Sequence, residues 1–264
     1  MKVSHPSKVL YRPLLTIVDT EMGKIGDMQQ VSHPALGVEP ISASQDALIK
    51  AILSSQVEYT LPKNLHFRPT IEDLNTCYCP SQLVNDEIIN AYLHLLTAKQ
   101  KKENKIHTFN TFFFTTLECK GYDSVGRWAP EFRGKALLQL DTIFIPVNQN
   151  CHWVLIVVHP GTRIIKEFNS LKRNSSVHAH RIKQFLDREV FDETWQVQCA
   201  PSPQQSNGYD CGVFLLTSAR CIALGLPVNF NQSDIPSMRK RIVAELINND
   251  IDAGKINVFL LEQS

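Results

Sequence analysis

The segment Gln204-Gln205-Ser206-Asn207-Gly208-Tyr209-Asp210-Cys211-Gly212 is polar and turn-prone, and it leads directly into a strongly apolar run. That run extends from Val213 to Leu224 and is followed by Gly225 and Pro227, which are helix stop signals. The pattern predicts a buried helix that begins at Cys211. Because the N-terminus of a helix favours a thiolate, we expect a lowered pKa and a nucleophilic role for this cysteine.

A nucleophilic thiol needs a base, and the best candidate is His152, which leads into the apolar, strand-like run Trp153–Val158. A second strand-like segment, 164–168, follows a Pro-Gly turn and can pair with that run. This pairing would place Asn169 beside His152. An asparagine can accept a hydrogen bond from an imidazole N–H and orient the ring, as in papain-like enzymes.

The loop before the predicted helix also contains Gln205, six residues ahead of Cys211. Its side-chain amide is close enough in sequence to point at a developing oxyanion. Taken singly, His152 could be a strand-end histidine, Gln205 a loop polar group and Cys211 a buried thiol. The Asn-Gly-Tyr-Asp turn and Gly212 argue against the last interpretation, because they let the backbone approach closely.

Several separate segments resemble the ubiquitin-like-protein-specific cysteine proteases, also called SUMO or sentrin-specific proteases. The similar segments follow the order of that family over about residues 66 to 250. They are Val84-Asn85-Asp86-Glu87-Ile88-Ile89-Asn90, Phe109-Asn110-Thr111-Phe112-Phe113, Lys120-Gly121-Tyr122 with Val125, Arg127 and Trp128, the strands Ile143–Val147 and His152–Leu155, Asn169-Ser170-Leu171, and the loop Gln205–Gly212. An ordered series of this kind is much more specific than a lone cysteine or histidine motif.

The resemblance implies a papain-like α+β architecture, with a central mixed sheet flanked by helices and the nucleophile at the N-terminus of a buried helix. It implies that His152 is the base, that Asn169 orients it, and that Gln205 and the Cys211 backbone N–H hold the oxyanion. It also implies contacts to the Gly-Gly tail or body of a modifier. The residues at the matching positions are Leu83, Asp86, Arg127, Trp128, Trp153, Asn207 and Gly208.

Two positions depart from the family pattern: Asn169 replaces the usual aspartate, and Leu83 replaces the usual tryptophan. The neutral amide cannot stabilise imidazolium by charge, so a thiolate–imidazolium pair should be less favoured. In the family, the aromatic residue at the Leu83 position and the one at Trp153 cover the flat tail of the substrate. With leucine, one wall of that channel would be thinner.

The function implied by the resemblance is a thiol protease that cleaves after the Gly-Gly of a SUMO-like modifier, either from a lysine or in a precursor. Three alternatives stay open: specificity for another ubiquitin-like modifier, a catalytically weakened relative that still binds the modifier, and acyl transfer. Asn169 and Leu83 suggest the second alternative. Retention of Cys211, His152 and Gln205 argues against it, and Trp153 favours proteolysis over acyl transfer.

Composition is that of a globular enzyme domain, with 264 residues, 43% hydrophobic content and a formal net charge of +1. Nothing global indicates a nucleic-acid partner, and we expect a monomer. A local basic group, Lys120, Arg127, Arg133 and Lys135, could steer an acidic modifier. A solvated surface is an equally good interpretation of each residue alone.

Seven cysteines without regular spacing do not describe a disulfide framework, and no apolar segment opens the chain. We therefore expect an intracellular protein of the nucleus and/or cytoplasm that is not secreted. No apolar run reaches the roughly 18 residues of a membrane span. Cys77-Tyr78-Cys79 lacks a second Cys/His pair at finger-like spacing, so neither a metal nor another cofactor is expected. We expect Cys119, Cys199 and Cys221 to be small buried thiols.

The chain divides into a poorly ordered extension, residues 1–60, and a catalytic domain, residues 61–264, with one short helix over Ser44–Leu53 in the extension. Within the domain we predict a helix capped by Asn85 or Asp86. Further helices lie on either side of a block of strands, which indicates an α+β fold. The predicted strands are Leu138–Val147, Trp153–Val158, Arg163–Phe168 and Trp195–Cys199, and the further helices are Val177–Val190 and Ile235–Ile247.

Overall fold

A computed structural model describes residues 40–57, 59, 67–99, 105–128, 130, 133–171, 176–191 and 193–251. All of them lie within one compact unit, Ser32–Ser264. The predicted poorly ordered segment up to residue 39 lies outside the described residues. The proposed division of the chain at residue 60 therefore stays a prediction.

Helices flank a mixed sheet, as the α+β prediction requires. The helices are α1 Ala43–Leu53, α2 Ile71–Tyr78, α3 Asp86–Ala98, α4 Phe112–Lys120, α5 Tyr122–Val125, α6 Val177–Glu189, α7 Cys211–Ala223 and α8 Ile235–Asn248. The strands are β1 Ile106–Thr108, β2 Thr142–Gln149, β3 His152–His159, β4 Ile164–Phe168 and β5 Gln196–Cys199, in the spatial order β1-β2-β3-β4-β5. The β2–β3 and β3–β4 pairs are antiparallel, and the β1–β2 and β4–β5 pairs are parallel.

The predicted helix boundaries follow from local capping chemistry. The Asn85 side chain accepts a hydrogen bond from the Ile88 backbone N–H at 3.1 Å, which starts α3. Ser42 and Gln45 form a capping box at the start of α1. Beyond the end of α7, Gly225 adopts a φ of +68°, in the left-handed region where glycine costs least.

Strand β3 separates two hydrophobic clusters. Trp153, Leu155 and Val157 join the cluster built with α1, α2, α3, α7 and α8, whereas Val154, Ile156 and Val158 join the cluster built with α4 and α6. Side chains of a strand alternate between its faces, so a continuous apolar run is required where both faces are covered. The prediction of a central, two-sided strand is confirmed.

A two-residue turn joins β2 to β3 and fixes the position of His152. Gln149 pairs with His152, and both intervening residues, Asn150 and Cys151, have positive φ values of 54° and 59°. Positive φ at both central residues is the geometry that matches the twist of a hairpin. The turn therefore places His152 at the very start of the central strand.

Three local expectations are wrong. Residues Gly134–Gln139 form a 3-10 helix, so the strand predicted from Leu138 begins only at Thr142. Cys119 and Cys199 are exposed thiols, and not buried ones. His178 is buried, and its Nε2 lies 2.8 Å from Gln149 Oε1.

The short helix α1 belongs to the main core although it precedes residue 60. Ile49, Ile52 and Leu53 are buried in the same cluster as the nucleophile helix α7. Its hydrophobic face is therefore covered by the later helices, which explains why an 11-residue helix is stable there.

Candidate active site

Cys211 is the first residue of α7 and is buried. Three backbone N–H groups, those of Trp153, Gly212 and Cys211 itself, lie near its sulfur and act to lower the pKa of the thiol. Two of these donors belong to the first turn of the helix, where backbone N–H groups lack intrahelical partners. The third comes from β3, so the thiol lies where the helix terminus meets the central strand.

The pKa of the Cys211 thiol is raised above its ordinary value, contrary to the expectation from the helix terminus alone. Burial is the largest cause, and the charge of Asp210 adds to it. The three backbone donors lower the pKa but do not overcome the burial. The helix terminus therefore does not by itself favour the thiolate, and a base is needed to take the proton of Cys211.

His152 is buried at the start of β3, and its Nε2 lies 2.8 Å from Asn169 Oδ1. The same oxygen accepts the Leu171 backbone N–H at 3.0 Å, which identifies this atom of the amide as the acceptor. Nε2 must then carry the ring proton, so neutral His152 presents an unprotonated Nδ1. The predicted pairing of β3 with β4 brings these two residues together.

Gln205 is held by a network with Ser170 and Asn207. The Ser170 hydroxyl donates to Gln205 Oε1 at 2.5 Å, and Gln205 Nε2 donates to the Asn207 carbonyl at 2.5 Å. The Gln205 backbone N–H donates to the Ser170 carbonyl at 2.8 Å. The structure thus joins the predicted oxyanion residue to the strand end that carries Asn169.

Asp210 precedes the nucleophile and forms a buried ion pair with Arg239, whose Nη2 lies 2.7 Å from Asp210 Oδ1. The other carboxylate oxygen accepts Asn207 Nδ2 at 2.6 Å and Gln232 Nε2 at 2.7 Å. Asp210 stands at the N-cap of α7 yet makes no capping hydrogen bond. The first-turn N–H groups consequently stay available to the Cys211 sulfur.

The Arg239 guanidinium joins two segments of the site. Its Nη1 donates to the Cys77 and Cys79 carbonyls at 2.9 and 3.1 Å, and its Nη2 donates to the Gln82 carbonyl at 2.8 Å. The Arg239 side chain therefore binds both the segment that leads to Leu83 and, through Asp210, the loop that precedes Cys211.

Val84, Trp153 and Gly212 pack closely beside Cys211. The Trp153 indole Nε1 donates to the Val84 carbonyl at 2.8 Å. A Cβ placed on Gly212 would lie 2.8 Å from Val84 Cβ and 3.2 Å from Trp153 Cδ1, so only glycine fits without displacement. Leu83, next in the chain, is 48% exposed and hence accessible to a ligand.

The other predicted binding residues are more widely spread. Asp86 opens α3, Asn207 caps its own turn by accepting the Tyr209 and Asp210 N–H groups, and Gly208 is exposed. Arg127 and Trp128 are exposed after α5, and the Trp128 ring contacts Phe113 at a centroid distance of 6.0 Å. Their roles in binding stay predictions.

Arg133, one of the basic residues considered for steering, is already paired, with its Nη2 3.3 Å from Glu189 Oε1.

Across the described part of the chain, no helix combines the length and apolar character that a membrane span needs. Within those same residues, no three His, Cys, Asp or Glu side chains form a group suited to a metal ion.

Sequence reasoning missed Arg239 and assigned no role to Ser170. A signal for Arg239 exists, because it lies four residues before Val243 and seven before Leu246, on the apolar side of α8. Ser170 had no comparable signal, since a serine after a strand most often belongs to a turn.

Comparisons with known proteins agree with this geometry. Residues 82–252 match the model of the Ulp1 protease family, C-terminal catalytic domain. Sentrin-specific protease 5 of Mus musculus is 36% identical over 171 residues, which are 62% of this chain and 22% of that protein. The putative ubiquitin-like-specific protease 1B of Arabidopsis thaliana is 30% identical over 230 residues, 79% of this chain and 67% of that protein.

Among solved structures, the Ulp1-like SUMO protease catalytic domain of Chaetomium thermophilum superimposes with a TM-score of 0.74 at 26% identity. The match covers 85% of this chain and 96% of that one. The chain thus spans about a fifth of the length of sentrin-specific protease 5 and nearly all of a solved catalytic domain. The family match extends over more than half of the chain and includes the whole His152–Asn169–Gln205–Cys211 arrangement, so this chain belongs to the Ulp1 protease family.

Proposed function

We propose that the chain is a cysteine protease that cleaves after the C-terminal Gly-Gly of a SUMO-like modifier, releasing it from a lysine or trimming its precursor. The observation that carries the proposal is the 2.8 Å contact between His152 Nε2 and Asn169 Oδ1 beside a thiol at a helix N-terminus. A nucleophile, a base and a group that orients the base are the elements of thiol catalysis.

In the proposed reaction, His152 Nδ1 takes the proton of the Cys211 thiol as the sulfur attacks the carbonyl carbon of the terminal glycine. The raised pKa of the thiol makes this transfer necessary, because little thiolate forms without the base. The tetrahedral intermediate collapses to a thioester as the imidazolium protonates the leaving amine. Water, deprotonated by His152, then hydrolyses the thioester and frees the thiol.

The oxyanion of each tetrahedral intermediate would be held by the Gln205 amide and the Cys211 backbone N–H. The amide nitrogen has two hydrogens, and the Asn207 carbonyl takes one of them. We assign the second to the oxyanion. Donors that are fixed before the reaction are effective because they need no reorganisation as charge develops.

The proposed channel for the Gly-Gly tail runs between Leu83 and Trp153. Glycine suits a narrow channel, since it has no side chain to clash with the walls. The specificity for SUMO is supported by what the relatives are called, a sentrin-specific protease and a SUMO protease domain. We propose a reducing compartment, nucleus or cytoplasm, which fits seven cysteines that are all free thiols. We also propose that the protein is a monomer.

Covalent probes test the proposal directly. The protein is incubated with vinyl-sulfone or propargyl derivatives of SUMO, of ubiquitin and of a further ubiquitin-like modifier, and adducts are detected by mass spectrometry. We expect a SUMO adduct on Cys211 that is lost in Cys211→Ser and retained in the control Cys119→Ser, an exposed thiol.

Other outcomes would select the alternatives. Labelling only by another modifier would show that the protein is specific for that modifier and that its thiol chemistry is as proposed. Calorimetric binding of SUMO without any adduct or cleavage would identify a binding protein that has lost catalysis. Transfer of the modifier to an added amine in preference to water would indicate acyl transfer.

A further inference from the structure

We propose that Ser170 is a positioning residue that sets the orientation of the Gln205 amide for the oxyanion, an inference that rests on the proposed function. Ser170 directly follows Asn169, the residue that orients His152. Its side chain is buried, with 5% exposure, and its hydroxyl lies 2.5 Å from Gln205 Oε1. No catalytic atom needs to touch Ser170 for it to affect the reaction.

The hydrogen-bond partners fix which end of the Gln205 amide faces which way. The Asn207 carbonyl can only accept, so the amide atom that faces it at 2.5 Å must be the nitrogen. The atom that faces Ser170 is then the oxygen, and the hydroxyl must donate to it. A rotation of the amide by 180° would set two carbonyl oxygens against each other and lose both hydrogen bonds.

The backbone around Ser170 also binds the segment that carries Gln205. The Ser170 carbonyl accepts the Gln205 N–H at 2.8 Å, and the Asn169 carbonyl accepts Gln204 Nε2 at 3.0 Å. The Asn169 N–H in turn donates to Ser202 Oγ at 3.1 Å. Two consecutive residues after β4 therefore hold two parts of the site. The Asn169 side chain holds the base His152, and the Ser170 side chain holds the oxyanion donor Gln205.

This arrangement makes a specific prediction about which steps need Ser170. Loss of its hydroxyl removes one of the two side-chain hydrogen bonds that hold the Gln205 amide, so that only the Asn207 carbonyl still restrains it, and leaves His152, Asn169 and Cys211 in place. Steps that pass through an oxyanion should slow, whereas a thiol reaction without an oxyanion should not. Alkylation by iodoacetamide is such a reaction, because the sulfur displaces iodide from a saturated carbon.

The kinetic test uses Ser170→Ala on a SUMO fusion whose cleavage is followed by gel. We expect kcat to fall about tenfold with an unchanged KM, a part of the roughly 10²–10³-fold that a whole oxyanion donor contributes. The rate of Cys211 alkylation should stay at the wild-type value at every pH. Ser124→Ala removes a hydroxyl that donates to the Gly121 carbonyl far along the chain, and this control should leave kcat unchanged.

A double-variant cycle separates positioning from general structural damage. In a Gln205→Ala background, Ser170→Ala should cause no further loss of kcat, since there is no amide left to orient. An additional tenfold loss in that background would overturn the proposal. Slower alkylation in Ser170→Ala would also overturn it, because Ser170 would then act on the thiol and its base.

A readout independent of turnover separates this inference from the proposed function. The side-chain amide signals of Gln205 are assigned in the ¹⁵N NMR spectrum by their loss in Gln205→Ala. We expect slow hydrogen exchange with water and chemical shifts unlike those of a free amide in the wild type, and faster exchange with shifts closer to those of a solvent-exposed glutamine amide in Ser170→Ala. Unchanged signals would refute the positioning role even if the wild type cleaved SUMO. A wild type that cleaves no modifier would refute the proposed function and leave the NMR result to decide on Ser170.

Discussion

The two sides of the site differ in their contacts. The nucleophile side, Val84, Asp210, Cys211 and Arg239, contains a buried ion pair, whereas the hydrogen bonds described for the base side, His152, Asn169, Ser170 and Gln205, join neutral groups. On the nucleophile side, the Asp210 carboxylate and the Arg239 guanidinium are 2.7 Å apart and almost wholly buried. On the base side, the contacts described above are amide, hydroxyl and backbone hydrogen bonds.

This difference has an electrostatic consequence for the thiol. The charge next to Cys211 is compensated by Arg239, and Asn169 contributes no charge to His152. Burial opposes a resting thiolate–imidazolium pair, because it raises the pKa of the thiol, whereas the attraction between the two opposite charges and the nearby backbone N–H groups favour it. The protonation state of this resting pair is what the Asn169→Asp pH profile below measures.

The largest expected effect comes from breaking the ion pair on the nucleophile side. Arg239→Met leaves the Asp210 charge buried without its partner, which typically destabilises a protein by about 3–5 kcal/mol. Urea unfolding measures the change. Lys183→Met is the control, because it removes a partly exposed pair with Asp187, four residues along the same helix, and such pairs contribute only about 0.5 kcal/mol. Equal stability of the two variants would show that Arg239 is dispensable for the nucleophile loop.

A second prediction tests the neutrality of the base side. Asn169→Ala should lower kcat/KM by roughly 10²-fold, since the ring loses its orienting acceptor and general-base catalysis contributes about 10²–10⁴-fold in all. Asn169→Asp should retain or increase activity, because a carboxylate stabilises the imidazolium formed during attack.

The pH profile of Asn169→Asp distinguishes the two possible protonation states of Cys211 and His152 in the resting enzyme. The new carboxylate raises the pKa of His152. If the resting pair is thiol and imidazole, the acidic limb of kcat/KM reports loss of the imidazolium proton and should move to higher pH. A shift confined to the alkaline limb would instead identify a resting thiolate–imidazolium pair. An inactive wild type beside an active Asn169→Asp would mean that catalysis was lost at this position.

A third prediction concerns the close packing of the nucleophile side. Gly212→Ala adds a Cβ 2.8 Å from Val84 Cβ, and overpacking of this kind typically costs about 1–3 kcal/mol. Val84 is next in the chain to Leu83, which forms one wall of the proposed channel. We therefore expect Gly212→Ala to raise KM for the modifier in addition to lowering thermal stability. Gly161→Ala, where nothing lies within 4 Å of the new Cβ, is the matched control. A KM equal to that of Gly161→Ala would show that the channel does not depend on this contact.

The smallest expected effect is a gain in binding at the channel. Leu83 is half exposed, and Leu83→Trp would offer a second indole opposite Trp153. Aromatic contacts contribute roughly 0.5–1.5 kcal/mol beyond area burial, so calorimetry of Cys211→Ser with full-length modifier should show a correspondingly lower Kd. Weaker binding would place the tail elsewhere.

The sequence alone determined the elements and the identities of the candidate catalytic groups. The apolar run after Cys211, the continuous apolar strand after His152 and the cap at Asn85 each carry a local signal, because helix and strand periods and capping preferences are properties of neighbouring residues. The order of these groups along the chain is likewise a property of the sequence.

Only the tertiary structure decided how those groups are tuned and held. The raised pKa of Cys211 arises from burial by residues far apart in the chain, and it opposes the local effect of the helix terminus. Arg239 pairs with Asp210, which lies 29 residues away in the chain, and Ser170 binds Gln205, which lies 35 residues away. Such contacts leave no periodic trace, since a hydrogen bond between distant residues depends on where the packed elements place two side chains.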